Sequence, residues 1–161
     1  MRSSSWLGPA RKPRHRRLAR RSLAAAGPAP QMGTYVPMTA QGSAHSRLRR
    51  ALDHGASALV VRALALEAGR LELHDALAVC LVLLEGEPER YGAWAARWAS
   101  RFVHEAAGAD LDEAALVLSA LIALRGRARL AAARALKELC ELGGQQRSAA
   151  VLERWLVDRA L

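Results

Sequence analysis

The sequence predicts an all-α domain of six to seven short antiparallel helices behind a basic N-terminal tail. Ala and Leu supply 61 of the 161 residues, whereas Val occurs nine times and Ile once. Good helix formers are therefore abundant, and the β-branched residues that favour strands are scarce. Glycine-bearing breaks recur along residues 43–161, as expected where Gly supplies the left-handed residue after a helix end. Connections of two to four residues make consecutive helices antiparallel neighbours, in a compact bundle or a short array of hairpins.

The glycine breaks divide the helical region into seven segments. They lie at Gly55, Gly69, Gly86, Gly108, Gly126 and Gly143, and we expect helices over 43–54, 56–68, 71–85, 88–107, 110–125, 127–142 and 145–160. Ser43 is suited to cap the first helix. Pro88 is suited to the first turn of the fourth, where its missing N–H costs nothing. Asp110, followed three residues later by Glu113, is close to a capping box at the start of the fifth.

Two of these segments, 71–85 and 110–125, are apolar on most sides. A helix that is apolar all round is normally packed between neighbours, so we expect both to be sandwiched inside the domain. The two cysteines, Cys80 and Cys140, also fall in apolar helical patterns. We expect them to be buried free thiols rather than a disulfide.

Residues 56–160 contain a pattern of paired helices. Gly69-Arg70-Leu71-Glu72, then Ala76, Leu83-Leu84 and Pro88, resemble the turn, small residue, apolar pair and terminal proline of tetratricopeptide-type repeats. The apolar faces of the second helices begin near Ala76, Ala114 and Ala149, close to that family's period of about 34 residues. The resemblance implies a degenerate array of helical hairpins over residues 56–160. A compact bundle of six or seven helices is the alternative.

Positive charge is concentrated at the N-terminus. Residues 1–42 hold eight of the 24 basic residues and no acid, whereas residues 43–161 are nearly neutral. Like-charged blocks followed by a Pro- and Gly-rich linker are typical of disordered tails. Met32 and Met38 offer a second interpretation, in which residues 1–31 lie upstream of the true start. The excess of Arg over Lys, 22 to 2, together with the many alanines, indicates a high-GC bacterial genome.

Seven of the tail's cations fall within eleven residues. They are Arg11, Lys12, Arg14, Arg16, Arg17, Arg20 and Arg21. Such a run binds polyanions through counterion release, without sequence preference and with affinity that falls in salt. The tail therefore predicts non-specific nucleic-acid binding as an alternative function.

An aromatic face is the most informative feature of the helical region. Tyr91, Trp94, Trp98 and Phe102 are spaced by three, four and four residues, so they share one side of a helix. Aromatic anchors beside arginines are typical of binding hot spots, and Arg97 and Arg101 stand in the same segment. We expect these six side chains to bind a partner. The competing interpretation is that the stripe forms the core.

Motifs for catalysis are scarce in this sequence. No two histidines are four residues apart, and no serine stands in a nucleophile-elbow context. The longest wholly apolar run, 76–84, is far shorter than the ~20 residues of a membrane span. We therefore predict a cytoplasmic, non-enzymatic protein-interaction or scaffold module, with another protein as its partner and neither metal nor cofactor.

Overall fold

Seven α-helices follow one another in the computed structural model, which describes residues 43–106 and 110–160. They are α1 (Ala44–Asp53), α2 (Ala58–Ala68), α3 (Leu73–Gly86), α4 (Pro88–Glu105), α5 (Leu111–Ala123), α6 (Arg129–Leu142) and α7 (Gln146–Ala160). No strand occurs in these two stretches, so the predicted fold class is confirmed. None of the seven helices combines the length and hydrophobicity that crossing a membrane requires.

The helices begin where the sequence places their start signals. Ser43 Oγ accepts a hydrogen bond from the backbone N–H of Ser46 at 3.3 Å, which caps α1. Asp110 Oδ1 accepts one from the N–H of Glu113 at 2.9 Å, which caps α5. Pro88 occupies the first turn of α4. Each cap satisfies an amide that the helix leaves without a partner.

The helix ends follow the glycine rule only in part. Gly55, Gly69 and Gly144 have positive φ angles of 65°, 71° and 73°. Gly86 is the last residue of α3 instead of a break, and Glu87 is the C-cap of this helix. Gly143 has a φ of −77°, so its neighbour Gly144 takes the left-handed conformation expected of it. In a Gly-Gly pair, either residue can meet that requirement.

Helix α3 lies at the centre of the fold. It packs against α1, α2, α4 and α7, whereas the other pairs of packed helices are neighbours in the chain. Eight of its fourteen residues are buried, among them Leu77, Val79, Cys80 and Leu83. The prediction that this segment is sandwiched is confirmed. Cys80 and Cys140 are both free and buried, as expected.

Helix α5 is also expected to be sandwiched inside the domain, but the described helices cover only one side of it. Among the described helices it packs only against α4 and α6, through Val117, Ala120 and Leu121. Its other side is open, with Leu111 at 84% and Ile122 at 71% exposure. The prediction that both apolar segments are sandwiched is therefore wrong for α5, because it lies at the periphery of the described helices.

Candidate functional site

The aromatic stripe of α4 divides into a buried part and an accessible part. Tyr91 and Trp98 are 1% exposed and Phe102 is fully buried, so these three side chains lie in the core. They leave almost no exposed surface for a partner in this fold, which corrects the expectation for half of the six candidates. Trp94 packs against the core but stays partly exposed. The accessible aromatic surface of the stripe is thus Trp94.

Polar atoms of the buried aromatic residues join α4 to its neighbours. Tyr91 Oη donates a hydrogen bond to the carbonyl of Leu121 in α5 at 2.8 Å. Trp98 Nε1 donates one to the carbonyl of Leu73, at the start of α3, at 2.9 Å. The Trp98 and Phe102 rings lie 5.3 Å apart in a tilted pair. Buried hydroxyl and indole groups need such partners, so these side chains fix the position of α4.

Trp94, Arg97 and Arg101 share one flank of α4. At about 100° per residue, they lie about 60° to 120° to one side of the line through Tyr91 and the other buried rings. Arg97 is exposed, whereas Arg101 is half-buried. Within the described residues, Arg97 forms no ion pair. Its charge is therefore available to a ligand.

Arg101 joins this flank of α4 to the loop between α2 and α3. Its Nη1 donates to the carbonyl of Leu71 at 2.8 Å, and its Nη2 lies 2.8 Å from Glu105 Oε1. On the other side of the same loop, the ring Nε2 of His45 donates to the carbonyl of Arg70 at 3.0 Å. The α2–α3 loop is thus held between α1 and α4. We expect a surface built on this loop to be preorganised.

A cavity of about 520 Å³ lies between this loop, α3 and α4. We name it the Trp94 groove. Its apolar part is formed by Leu71, Ala76, Cys80, Trp94 and Trp98, and its rim by Gly69, Arg70, Arg97, Arg101, His104 and Glu105. The volume falls within the usual range of ligand-binding clefts. The groove presents an apolar floor beneath a mainly cationic rim.

Two rim cations form no ion pair with the residues that the structure describes. Arg70 and Arg97 are exposed, and neither pairs with a carboxylate in the described part of the chain. Among the described residues of the rim, Glu105 is the one carboxylate, and it already pairs with Arg101. The rim therefore carries net positive charge, although residues 43–161 as a whole are nearly neutral. Such a local field attracts carboxylates and raises their association rate.

A larger groove of about 860 Å³ runs between α1, α3 and α7, but its charges neutralise one another. Arg49 Nη2 lies 3.1 Å from Asp75 Oδ2, and the hydrogen bond to Asp75, together with the charge of this carboxylate, raises the pKa of Arg49. Arg159 pairs with Glu85 at 2.9 Å and also covers the ring of Trp155 at 4.1 Å. Arg154 also pairs with Asp53, at 3.7 Å. Because the four arginines of this groove are matched by four carboxylates, and three of them form ion pairs there, this surface does not favour a ligand of one charge.

The described residues offer little for catalysis. Burial raises the pKa of both Cys80 and Cys140 to about 12, so neither thiol is a ready nucleophile. No group of three metal-ligating side chains occurs within residues 43–106 and 110–160. The carboxylates of Glu105 and Asp110 are taken up by an ion pair and a helix cap.

Sequence reasoning found one wall of the groove and missed the other. The missed wall consists of the α2–α3 loop and α3, which supply Arg70, Leu71, Ala76 and Cys80. In the sequence, only the break at Gly69 indicated that a loop faces α4. The seven basic residues predicted to bind nucleic acid, from Arg11 to Arg21, lie outside the described residues.

Comparison with known proteins adds no functional parallel. The sequence matches no protein-family model, and neither curated proteins nor solved structures gave a match.

Proposed function

We propose that this chain is a non-catalytic protein-interaction module that binds its partner in the Trp94 groove. The partner chemistry that fits is a peptide segment with one large apolar side chain flanked by carboxylates. One observation carries the proposal: an accessible tryptophan beside an apolar groove whose rim holds two unneutralised arginines, Arg70 and Arg97.

The physical argument rests on what each part of the groove supplies. Trp94 is an amphipathic anchor of the kind that dominates interface energetics, and it already packs on the core, so little of its freedom is lost on binding. Arg70 and Arg97 supply charge that favours acidic partners and disfavours basic ones. The hydrogen bonds from His45 and Arg101 hold the facing loop in place, which reduces the ordering cost of association.

A peptide selection tests this chemistry even though the natural partner is unidentified. The full chain is used to select from a random peptide library, and the binding of a labelled selected peptide is measured by fluorescence anisotropy. We expect the enriched sequences to combine an aromatic or long aliphatic residue with neighbouring Asp or Glu. Trp94→Ala should weaken binding about 30-fold, the effect of losing about 2 kcal/mol at a hot spot.

Charge-reversal variants test whether peptide binding depends on the arginines of the rim or on surface charge in general. Arg97→Glu should weaken binding and remove most of its salt dependence, because it reverses an exposed rim charge. Arg134→Glu is the matched control, since Arg134 is an exposed arginine on α6 that does not line the groove. Equal binding by wild type, Trp94→Ala and Arg97→Glu would contradict the proposal, as would enriched peptides without acidic residues.

The basic run of the N-terminal tail supports a second candidate function, non-specific binding of nucleic acid. Seven cations within eleven residues predict a slope of log affinity against log salt of about −6 on duplex DNA if all seven contact phosphate. Replacing these seven residues with Gln in the full chain should abolish this binding. Unchanged binding by that variant would refute this second candidate.

A further inference from the structure

The open side of α5 carries an apolar stripe at coiled-coil spacing. Leu111, Ala115, Leu118 and Ile122 follow one another at intervals of four, three and four residues, and all four are exposed. At about 100° per residue they fall within about 60° of one another on the helix surface. This spacing is that of the narrow seam by which two helices pack together. The stripe is about 17 Å long at about 1.5 Å per residue.

The charges of α5 are divided between its two ends. Asp110 and Asp112 stand at the N-terminal end, and Arg125 and Arg127 follow the C-terminal end. Asp112, Arg125 and Arg127 are exposed, and none of them pairs with another charged group in the described ranges. An identical helix laid antiparallel across the stripe brings each acidic end against a basic end. The helix is therefore complementary to a second copy of itself.

We propose that the chain forms a twofold-symmetric homodimer in which α5 packs antiparallel against α5 of a second copy. Placing Leu111 opposite Ile122 of the partner copy puts Ala115 opposite Leu118. Arg125 then lies about 3 Å along the axis from the partner's Asp110 and about 6 Å from the partner's Asp112, at about 1.5 Å per residue. In such an isologous interface every contact occurs twice, so each substitution acts twice.

The other exposed apolar face in the described structure fits a self-complementary interface less well. Helix α2 exposes Leu59, Val60 and Leu66. Its charged residues are already paired within the chain, Glu67 with Arg47 and Arg62 with Glu87. It thus lacks the free opposite charges that α5 has at its two ends. This makes Leu66 a suitable control position, because it is 62% exposed on a helix of similar length.

Sedimentation velocity of the full chain over a wide concentration range tests the proposal. A single helix pair is small for a stable interface, so we expect a concentration-dependent equilibrium between 17.4 kDa and twice that mass, with a dissociation constant of about 1–100 µM. Leu118→Glu should weaken dimerisation about 100-fold or more, because two carboxylates enter an apolar seam. Leu66→Glu should leave the equilibrium unchanged. A monomeric wild type throughout this range, or dissociation by Leu66→Glu alone, would overturn the proposal.

Charge reversal tests the complementarity directly. Asp112→Arg and Arg125→Asp should each weaken self-association, because each puts like charges against one another at both ends of the interface. An equimolar mixture of the two variants should dimerise again, since the chains then carry complementary ends. Failure of the mixture to recover would contradict the charge pairing.

A disulfide experiment tests the antiparallel orientation. In the proposed register, the two copies of residue 111 lie about 17 Å apart along the axis, whereas residue 111 faces residue 122 of the other copy. The double variant Leu111→Cys, Ile122→Cys should therefore form a covalent dimer on mild oxidation, and the single variant Leu111→Cys should not. Cys80 and Cys140 are fully buried and do not compete. Cross-linking by the single variant would indicate a parallel pair and would refute the proposed register.

Discussion

Trp98→Ala should destabilise this protein far more than a truncation on the accessible flank of α4. Trp98 is 1% exposed, its ring contacts that of Phe102 at 5.3 Å, and its Nε1 donates to the carbonyl of Leu73 at 2.9 Å. Truncation removes the ring from a packed site between α3 and α4, and it leaves the Leu73 carbonyl without that donor.

The expected magnitude follows from these three contacts. Truncating a fully buried large aromatic residue costs about 3–5 kcal/mol, which includes the loss of its ring pair. The unpaired carbonyl adds about 1 kcal/mol. A loss of about 5 kcal/mol is a large fraction of the stability of an ordinary domain, and it lowers the midpoint of thermal unfolding by roughly 15 °C or more. Trp98→Phe keeps most of the ring and loses the N–H, so we expect about 1–2 kcal/mol.

Urea unfolding followed by circular dichroism measures the free energy of unfolding of Trp98→Ala, Trp98→Phe and Trp94→Ala on one scale. Trp94→Ala is the comparison, because Trp94 lies on the same helix but is partly exposed, and we expect it to cost less than half as much as Trp98→Ala. Equal losses for the two alanine variants would refute the division of the stripe into a buried and an accessible part. A negligible loss for Trp98→Ala would refute the core assignment itself.

Two further predictions concern close packing and thiol burial. Gly86→Ala should destabilise the protein by about 1–3 kcal/mol in urea unfolding, because its new Cβ would lie 2.6 Å from the Cβ of Ala58. Gly92 lies in the second turn of α4, where a Cβ meets nothing within 4 Å, so Gly92→Ala should instead stabilise the protein by about 0.5–1 kcal/mol. A gain for both variants would contradict the close α2–α3 contact at Gly86. Cys80 and Cys140 should be almost inert to a thiol reagent at pH 8, since burial raises their pKa to about 12 and leaves very little thiolate. Both should react at once in denaturant, and fast reaction of either thiol in the native protein would contradict its burial.

The sequence predicts most of the helical framework because its signals are local. The seven helices lie within a few residues of the expected ranges, and Ser43 and Asp110 cap their helices with their own side chains. A cap or a left-handed glycine depends on atoms within a few residues, so it can be recognised whatever the rest of the chain does.

The position of a helix face relative to its neighbours is not a local property. The spacing of Tyr91, Trp98 and Phe102 puts them within about 40° on the helix surface, and Trp94 lies about 60° from their centre. The sequence alone therefore places Trp94 at the edge of the aromatic stripe. Which side of that edge faces the core depends on where α3 and α5 pack. The facing wall of the groove, with Leu71, also comes from a different part of the chain.

The prediction that α5 is sandwiched failed for a similar reason, because the packing partner of a helix is not encoded locally. An apolar surface on a helix predicts that something covers it, but the sequence does not specify whether the cover belongs to the same chain. In this structure the described helices cover one side of α5 and leave Leu111, Leu118 and Ile122 open.

The most direct test of the proposed function is to observe the indole N–H of Trp94 while a selected acidic peptide is added to the full chain. The ¹H–¹⁵N spectrum shows one such signal for each tryptophan, and Trp94→Phe identifies the one that belongs to Trp94. We predict that this signal shifts progressively and saturates with the dissociation constant measured by anisotropy, while the signal of Trp155, in the other groove, stays in place. Saturated peptide binding with an unmoved Trp94 signal would contradict the account.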